Sequence, residues 1–315
     1  MVEVTSDKGR VLVGYDHVAD ARRTNADQKF ETWFDQPDLI ESLSAASVRA
    51  AREVGESTDK EIVILYSGGM DSEWILESFF LAGVPVTPLL VNYRDGLNDH
   101  DMAYAQRYLG RRGITKSLLD TLDLRKWYGS QAQKDIAELS QTPELAYTTQ
   151  FQAIEKLNNG SRFFITGYDE PGIQADDSAE VRRWNLFYNE RHYSVVKLFR
   201  ALGVPGIPNW GRYSSALLAA YVCQPQWQML VANLYNPTVW NAEMIKIPMF
   251  QAHFPFMEAR PKFTGFEKSL SFIIDETRKW KNSVKERLGY NWSDEWRCDI
   301  HEVWATLGLR DRHDR

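Results

Sequence analysis

The sequence predicts an α/β fold, in which a parallel sheet with helices on both faces is followed by a mainly helical C-terminal part. Between residues 61 and 175, short apolar runs of strand length alternate with segments of helical periodicity. Such alternation is typical of a parallel sheet flanked by helices. After about residue 176 we find helical periodicity and no clear strand. We therefore predict an N-terminal extension with a leading helix (1–60), an α/β core (61–175) and a helical C-terminal region (176–315).

The predicted strands of the core are apolar runs bounded by turn residues. They cover residues 62–65, 86–91, 114–119 and 162–166, with a further short strand at 11–15. Pro88 weakens the second strand, because proline has no N–H to donate within a sheet.

The predicted helices combine apolar residues at helical spacing with terminal signals. In the core they cover residues 38–54, 73–81, 98–112 and 143–157. Asp38 is the expected N-cap of the first helix, and Asn98 or Asp99 that of the third, which Gly113 ends. In the C-terminal region the helical segments are 215–222, 226–234, 270–288 and 293–307.

Composition excludes several classes of protein. No run of 18 apolar residues and no apolar signal core are present, so we expect neither a membrane span nor a secreted protein. The two cysteines cannot form a disulfide framework or a cysteine-rich zinc site. We therefore expect a cytoplasmic protein, and the net charge of −6 argues against a general nucleic-acid binder.

The most informative segment is the loop after the first strand, which reads Ser67-Gly68-Gly69-Met70-Asp71-Ser72. Its two glycines allow a tight turn and close approach of the backbone to a ligand. The N–H groups and the dipole at the start of the next helix attract an anion, and the two serine hydroxyls add donors. An aspartate fits beside an anion only if it holds a metal that accompanies the phosphates. The loop therefore predicts a pyrophosphate and metal site.

This loop differs from the Walker loop, which requires G-x-x-x-x-G-K-[ST], because the chain contains no Gly-Lys dipeptide. It resembles instead the PP-loop of the ATP pyrophosphatases. That family cleaves ATP between the α and β phosphates, giving an adenylated substrate and pyrophosphate. The resemblance implies a HUP/Rossmann-like core. The alternative interpretation is a plain strand-to-helix turn that favours Gly and Ser.

Three segments are expected to meet at one edge of the sheet. The loop, Asn92 and the turn from Gly167 to Glu170 each follow a predicted strand. The carboxyl ends of parallel strands lie at the same edge, where ligands of such sheets bind. This convergence predicts one shared site.

The leading helix, the loop and the later strand ending in Thr166-Gly167-Tyr168-Asp169-Glu170 together resemble the synthetase domain of asparagine synthetases. That resemblance implies that Gly167, Asp169 and Glu170 face the ATP phosphates, the metal and the substrate. Further on, Arg260-Pro261-Lys262-Phe263 resembles a segment of that family whose lysine reaches the pyrophosphate and the reacting phosphorus.

The resemblance implies a set of site residues. Catalytic roles fall to Asp71, Glu170 and Lys262, and Mg²⁺ is held by Asp71 and Asp169. The implied ATP contacts are Leu65, Tyr66, Ser67, Gly68, Gly69, Met70, Asp71, Ser72, Val91, Asn92 and Gly167. Main-chain groups around Leu65, Tyr66 and Val91 would bind the adenine ring.

The function implied is a ligase that forms AMP and pyrophosphate, activating a small-molecule carboxylate for amide formation with ammonia or an amine. The chain starts Met1-Val2 and lacks the N-terminal cysteine of the family's glutaminase domain. We therefore expect its nitrogen to come from free ammonia, a substrate amine or a separate ammonia-supplying protein. The alternatives are another PP-loop ligase, similar to NAD synthetase or to a tRNA-modifying enzyme, and a nucleotide-binding or assembly protein that has lost catalysis.

Overall fold

A computed structural model describes most of the chain. The residues described are 40–140, 145, 148–167, 172–176, 183–188, 195, 198–199, 202–232, 245–260, 274–288 and 296–307. They contain a five-stranded sheet with helices packed on both faces, which confirms the predicted α/β fold.

The elements follow one another along the chain in the order strand, helix, strand through the core. The strands are β1 (Glu61–Leu65), β2 (Thr87–Tyr93), β3 (Leu118–Leu122), β4 (Arg162–Ile165), β5 (Gly172–Asp176), β6 (Arg183–Tyr188), β7 (Gly206–Ile207) and β8 (Trp296–Asp299). The first six helices are α1 (Leu43–Ser57), α2 (Met70–Ala82), α3 (Asp99–Arg111), α4 (Leu124–Trp127), α5 (Gln131–Ser140) and α6 (Thr148–Leu157). The later helices are α7 (Ser215–Val222), α8 (Pro225–Ala232), α9 (Lys246–His253), α10 (Ile274–Leu288) and α11 (Ile300–Thr306).

The main sheet has the strand order β3-β2-β1-β4-β7, and every neighbouring pair is parallel. From β1 the chain builds outwards through β2 to β3, then returns to the other side of β1 with β4. The order therefore reverses between β1 and β4. In open parallel sheets ligands bind beyond the carboxyl ends of the strands at such a reversal, so the edge after Leu65 and Ile165 is the place where this fold class would hold a ligand.

Strand β1 is apolar and buried from Ile62 to Leu65, where both faces of the sheet are covered. Ile62 and Ile64 belong to the core that includes α1, α2 and α3. Val63 and Leu65 belong to a second core, on the opposite face, with α6. Successive side chains of a strand point to opposite faces, and a strand buried on both faces reads as a continuous apolar run.

Helix α2 is buried along most of its length, from Met70 to Phe79. Its Trp74 side chain donates from Nε1 to the Ser47 hydroxyl of α1 at 2.9 Å, and its ring packs beside Tyr221 and Phe250. The helix that begins at the glycine-rich loop is therefore held from several sides. Within the part of the chain that the structure describes, no helix is both long and apolar enough to cross a membrane.

Pro88 lies inside β2, although this proline weakened the prediction of a strand there. The Leu89 carbonyl accepts a hydrogen bond from Tyr66 N at 2.8 Å, so Leu89 faces β1. The preceding residue, Pro88, faces the opposite side, where pairing with β3 begins only at Leu89. The missing N–H therefore costs no ladder hydrogen bond, and a proline is tolerated in a central strand.

Two element starts differ from the sequence prediction. Helix α1 begins at Leu43 with Ser42 as its N-cap, since the Ser42 hydroxyl accepts from Ala45 N at 3.2 Å; the expected cap, Asp38, lies outside the described residues. Strand β3 begins at Leu118 and not at residue 114. Ile114 N instead donates to Leu109 O at 2.9 Å and completes the end of α3.

The expectation of no strand after residue 176 was wrong. Strands β5, β6 and β8 form an antiparallel sheet, with Asn185 opposite Asp299. The described part of the predicted helix 293–307, which starts at residue 296, is strand β8 followed by α11, and the Asp299 carboxylate caps α11 by accepting from His301 N at 2.8 Å. This pairing joins segments far apart in the chain, so local periodicity did not reveal it. The described residues of this region are still mainly helical.

Glu61, the first residue of β1, connects several strands of the sheet. Its Oε1 accepts from Lys116 Nζ at 2.6 Å and from the Thr87 hydroxyl at 2.8 Å, and its Oε2 accepts from Arg162 Nε at 3.1 Å. The bond from Lys116, followed by those from Thr87 and Arg162, lowers the pKa of Glu61 to about 2.

We expect Glu61→Gln to reduce the free energy of unfolding by about 1 kcal/mol at neutral pH, since the carboxylate is partly exposed and screened. A lowered pKa stabilises the fold above the ordinary value of 4.5, and this contribution is lost as pH falls from there towards 2. Urea unfolding of both proteins across that range should show the difference shrinking. Glu53→Gln, which removes an exposed partner of Arg49, is the control. A difference that stays constant with pH would contradict the assignment.

Candidate functional site

The loop between β1 and α2 requires glycine at position 68. Gly68 has φ +81°, a backbone conformation that residues with side chains rarely adopt. A Cβ added there would lie 2.2 Å from the carbonyl oxygen of Asp101, in the first turn of α3. The loop backbone therefore lies directly against α3, and no side chain fits between them.

The two serines of the loop hold its shape. The Ser67 hydroxyl lies 3.1 Å from the Ser72 hydroxyl and accepts from Gly69 N at 3.2 Å. Ser72 accepts from Ser67 N at 3.3 Å and donates to Gly69 O at 3.0 Å. Ser72 is buried and Ser67 is exposed, so Ser72 fixes the turn while Ser67 lies at the surface where a ligand can reach it.

Helix α2 starts immediately after this turn and presents its N-terminus to this edge of the sheet. Its N-cap is Gly69, which has no side chain to cap the helix. Amides of a first helical turn have no acceptor within the helix, and the helix dipole places positive charge there. Met70 packs into the core while Asp71 is partly exposed. The arrangement suits an anion at the start of α2.

The end of β4 approaches the same helix start. A Cβ added to Gly167 would lie 3.1 Å from Ile75 Cδ1, and 3.5 Å from both the carbonyl carbon of Asp71 and the amide nitrogen of Ser72. Gly167 also forms an isolated bridge with Asn209. The structure therefore brings the loop and Gly167 together, as expected for strands that end at one edge.

The end of β2 is occupied by a side chain of the protein itself. Asn98 donates from Nδ2 to the Val91 carbonyl at 2.9 Å and accepts at Oδ1 from Tyr93 N at 2.7 Å. Strand β1 ends opposite Leu89, whereas β2 continues to Tyr93. Asn98 thus provides the last residues of β2 with the hydrogen bonds that a neighbouring strand would supply. The Val91 carbonyl, a predicted adenine contact, already has a partner, and Asn92 lies beside it, half-buried.

The other predicted main-chain contacts, Leu65 and Tyr66, lie at the end of β1 and directly after it. Both are buried, and Tyr66 N is bonded to Leu89 O. The Tyr66 hydroxyl donates to Glu73 Oε2 at 2.9 Å. These bonds hold the chain in place where it enters the loop.

The structure adds Lys246, which we did not select from the sequence. Its Nζ lies 3.1 Å from Asp71 Oδ2 and 3.2 Å from Oδ1. Lys246 is the first residue of α9, and 16% of its side chain is exposed. A cation is disfavoured at a helix N-terminus, so the position makes sense only beside an anion. The available signal was a single lysine in the apolar run MIKIPMF.

Two further carboxylates of α2 are buried and compensated. Glu73 Oε2 accepts from Arg260 Nη1 at 2.8 Å as well as from Tyr66. Burial nevertheless raises the pKa of Glu73, although Arg260 opposes the shift. Burial, together with the nearby Glu73 carboxylate, also raises the pKa of Tyr66 well above its ordinary value.

Glu77, one turn further along α2, accepts from the Tyr108 hydroxyl and from Arg112 Nε, both at 2.7 Å. Burial, with the adjacent Glu77 carboxylate as the next cause, raises the pKa of Tyr108. Glu73 and Glu77 are one helical turn apart and so lie on one face of α2, and Glu77 bonds the C-terminal end of α3.

Three of the predicted site residues, Asp169, Glu170 and Lys262, lie outside the described residues. In the parts of the chain that the structure describes, no group of three or more His, Cys, Asp or Glu side chains could hold a metal ion. Cys223 is buried, and burial raises the pKa of its thiol to about 12. It is therefore protonated at neutral pH and does not act as a nucleophile.

No protein-family model matches the sequence, and no curated protein matches it either. Among the solved structures that match is an NMN synthetase from Francisella tularensis, with 16% sequence identity and a TM-score of 0.29. The match covers 71% of this chain and 100% of that chain. A likeness at this TM-score supports no statement about activity.

We expect Gly68→Ala to lower the free energy of unfolding by about 1–3 kcal/mol, because the added methyl group meets the Asp101 carbonyl in a strained backbone conformation. Urea unfolding measures the effect.

Gly110→Ala is the matched control for that variant, since Gly110 lies in α3 with nothing within 4 Å of an added Cβ. Alanine there should be neutral or stabilising by about 0.5–1 kcal/mol. Equal stability of the Gly68→Ala protein and the unmodified chain would show that the loop does not need glycine.

Proposed function

We propose that this chain is an ATP-dependent ligase of the PP-loop type, which adenylates a carboxylate, releases pyrophosphate and transfers the activated acyl group to ammonia or an amine. One observation carries the proposal. The Ser-Gly-Gly-Met-Asp-Ser loop lies at the reversal of strand order, against the start of α2, with Lys246 on its Asp71.

The loop supplies what a leaving pyrophosphate requires. Gly68 lets the loop turn tightly against α3, Ser67 offers an exposed hydroxyl, and α2 directs its first amides and its dipole to the same place. Transfer of an adenylyl group requires positioning and charge neutralisation more than acid–base chemistry. The absence of a histidine or cysteine from this loop therefore fits the proposal.

Mg²⁺ fits this site in the way it usually binds with nucleotides, through one or two carboxylates together with substrate phosphates. Asp71 is the described carboxylate that would hold it, and Asp169 is the proposed second ligand. When bound, Mg²⁺ would neutralise charge on the phosphates. Asp71 suits this role because its carboxylate is partly exposed beside the loop.

Lys246 would provide a second positive charge. Its Nζ lies 3.1 Å from Asp71 Oδ2, so it would also lie close to phosphates bound beside Asp71. Lys246 is the first residue of α9, so the N-terminus of that helix would lie near the same phosphates. We propose that Lys246 exchanges Asp71 for a phosphate oxygen when ATP binds and stabilises the negative charge that develops on the leaving group. Lys262 remains a proposed second lysine, and Glu170 a proposed catalytic residue that faces the acid substrate.

The products of ATP turnover test the proposal. Incubation with ATP, Mg²⁺, ammonium and a panel of small carboxylic acids should release AMP and pyrophosphate in equal amounts. Release of ADP and phosphate alone would overturn the proposed reaction. ATP binding without turnover for any acid would favour a nucleotide-binding protein.

Lys246→Gln should lower kcat by about a hundredfold or more while the fold is kept, because the lost charge acts on the leaving group. Asp71→Asn should lower it several-hundred-fold through loss of the metal ligand. Steady-state pyrophosphate release measures each effect. Lys126→Gln, which removes an exposed lysine near Asp123, is the control. Activity in both site variants equal to that of the control would remove the pair from the mechanism.

Free ammonium or a primary amine should support turnover, and glutamine added to the purified chain should not. Glutamine hydrolysis by thioester chemistry requires a reactive thiolate, and the buried Cys223 does not supply one. The rate with an amine should rise with pH, because only the unprotonated amine attacks and an alkyl ammonium loses its proton near about pH 10. Pyrophosphate release with each nitrogen source decides this. Efficient use of glutamine by the chain alone would contradict it.

A further inference from the structure

Arg260 is a buried cation beside the loop, with only 6% of its side chain exposed. Its Nη1 donates to Glu73 Oε2 at 2.8 Å, and Glu73 is itself buried in the first turn of α2. The Tyr66 hydroxyl donates to the same carboxylate oxygen. Arg260 is therefore bonded to Glu73, which directly follows the glycine-rich loop in the chain, and Glu73 in turn bonds Tyr66, which directly precedes the loop.

The rest of this guanidinium has no hydrogen-bond partner among the described residues. Arg260 Nε and Nη2 are both buried, and neither makes a hydrogen bond within the part of the chain described. These two nitrogens direct their N–H bonds in parallel from one edge of the planar group. That edge matches the two oxygens of a carboxylate or phosphate.

A buried guanidinium edge without hydrogen-bond acceptors is energetically unfavourable. A buried donor without an acceptor loses the free energy of its hydration, and the loss is larger for a charged group. Glu73 offsets the charge of Arg260 from one side only. An arginine that serves only as the partner of Glu73 would not need a second, fully buried pair of donors.

Neighbouring side chains hold the Arg260 guanidinium near the elements that carry the loop. The Arg260 guanidinium carbon lies 5.4 Å from the centre of the Tyr104 ring. Tyr104 belongs to α3, whose Asp101 carbonyl contacts Gly68 of the loop. One helix thus supports both the loop and the arginine.

We propose that the Nε–Nη2 edge of Arg260 binds an oxyanion with two acceptor oxygens beside the glycine-rich loop. The anion is a carboxylate or a phosphate group, which share this chemistry. The proposal deepens the proposed function and rests on it only for the source of the oxyanion, the acid substrate or the nucleotide.

Binding of simple anions to the full chain tests this without ATP or turnover. Succinate, inorganic phosphate and inorganic pyrophosphate are titrated by calorimetry into the unmodified protein and into Arg260→Lys. Lysine keeps the positive charge beside Glu73 but has no bidentate edge. We expect at least one anion to bind and its affinity to fall by about 10–100-fold in the variant.

Arg107→Lys is the matched control. Its guanidinium also lies over the Tyr104 ring, at 4.8 Å, but it is exposed and paired with Glu258. Affinities in this variant should stay within about twofold of those of the unmodified protein. A loss for succinate alone in Arg260→Lys identifies the acid substrate as the source, and a loss for phosphate or pyrophosphate identifies the nucleotide.

A measurement on the unmodified protein keeps the proposal testable if Arg260→Lys does not fold. The ¹⁵Nε–¹H signal of Arg260, assigned through its contact with the Tyr104 ring, should shift when the anion is added. No anion binding at millimolar concentration, equal binding by Arg260→Lys, or an unmoved Nε–H signal would overturn the proposal and show that water satisfies the edge. Because the readout is binding, an inactive protein that still binds the anion would refute the proposed function alone.

Discussion

Helix α2 is buried along most of its length, and this burial fixes the loop that precedes it. The helix contacts α1 through Trp74 and Ser47, and its first turn lies against Gly167 at the end of β4. A helix held in this way cannot shift without disturbing the core on one face of the sheet. The loop at its N-terminus is therefore preorganised, which an anion site needs if binding is not to require reorganisation.

Burying α2 in the core also buries two of its carboxylates, and the protein compensates both. Glu73 is paired with Arg260 and Glu77 with Arg112, and each also accepts from a tyrosine hydroxyl. Removing one partner of a buried ion pair leaves an uncompensated charge, which is strongly destabilising. An apolar interface would be simpler and as stable. The presence of Arg260 here therefore suggests a role in ligand binding as well as in packing.

The charged side chains of the candidate site lie at the N-termini of two helices. Asp71 lies in the first turn of α2, where the dipole favours an anion, whereas Lys246 begins α9, where the dipole opposes a cation. The Lys246–Asp71 contact thus pairs a carboxylate at a favourable helix position with a lysine at an unfavourable one. Real proteins break local sequence rules at functional sites, which fits the role proposed for Lys246. The fold brings the start of α9 to the start of α2, and Lys246 lies beside Asp71 as a result.

The sequence by itself determined the parallel core and the loop. The apolar run of β1, the alternation of strands with helices and the Ser-Gly-Gly-Met-Asp-Ser segment are local signals, and each is set by residues close together in the chain. These signals also predicted that Gly167 would meet the loop, because parallel strands end at one edge.

Tertiary structure alone decided which distant side chains complete the site. Lys246 reaches Asp71, Arg260 reaches Glu73 and Asn98 closes the end of β2 only because separate elements pack together. The second sheet, in which β8 pairs with β6, was missed for the same reason. A contact between segments far apart in the chain leaves no periodicity in either segment, since its stability comes from packing and pairing that exist only in the folded protein.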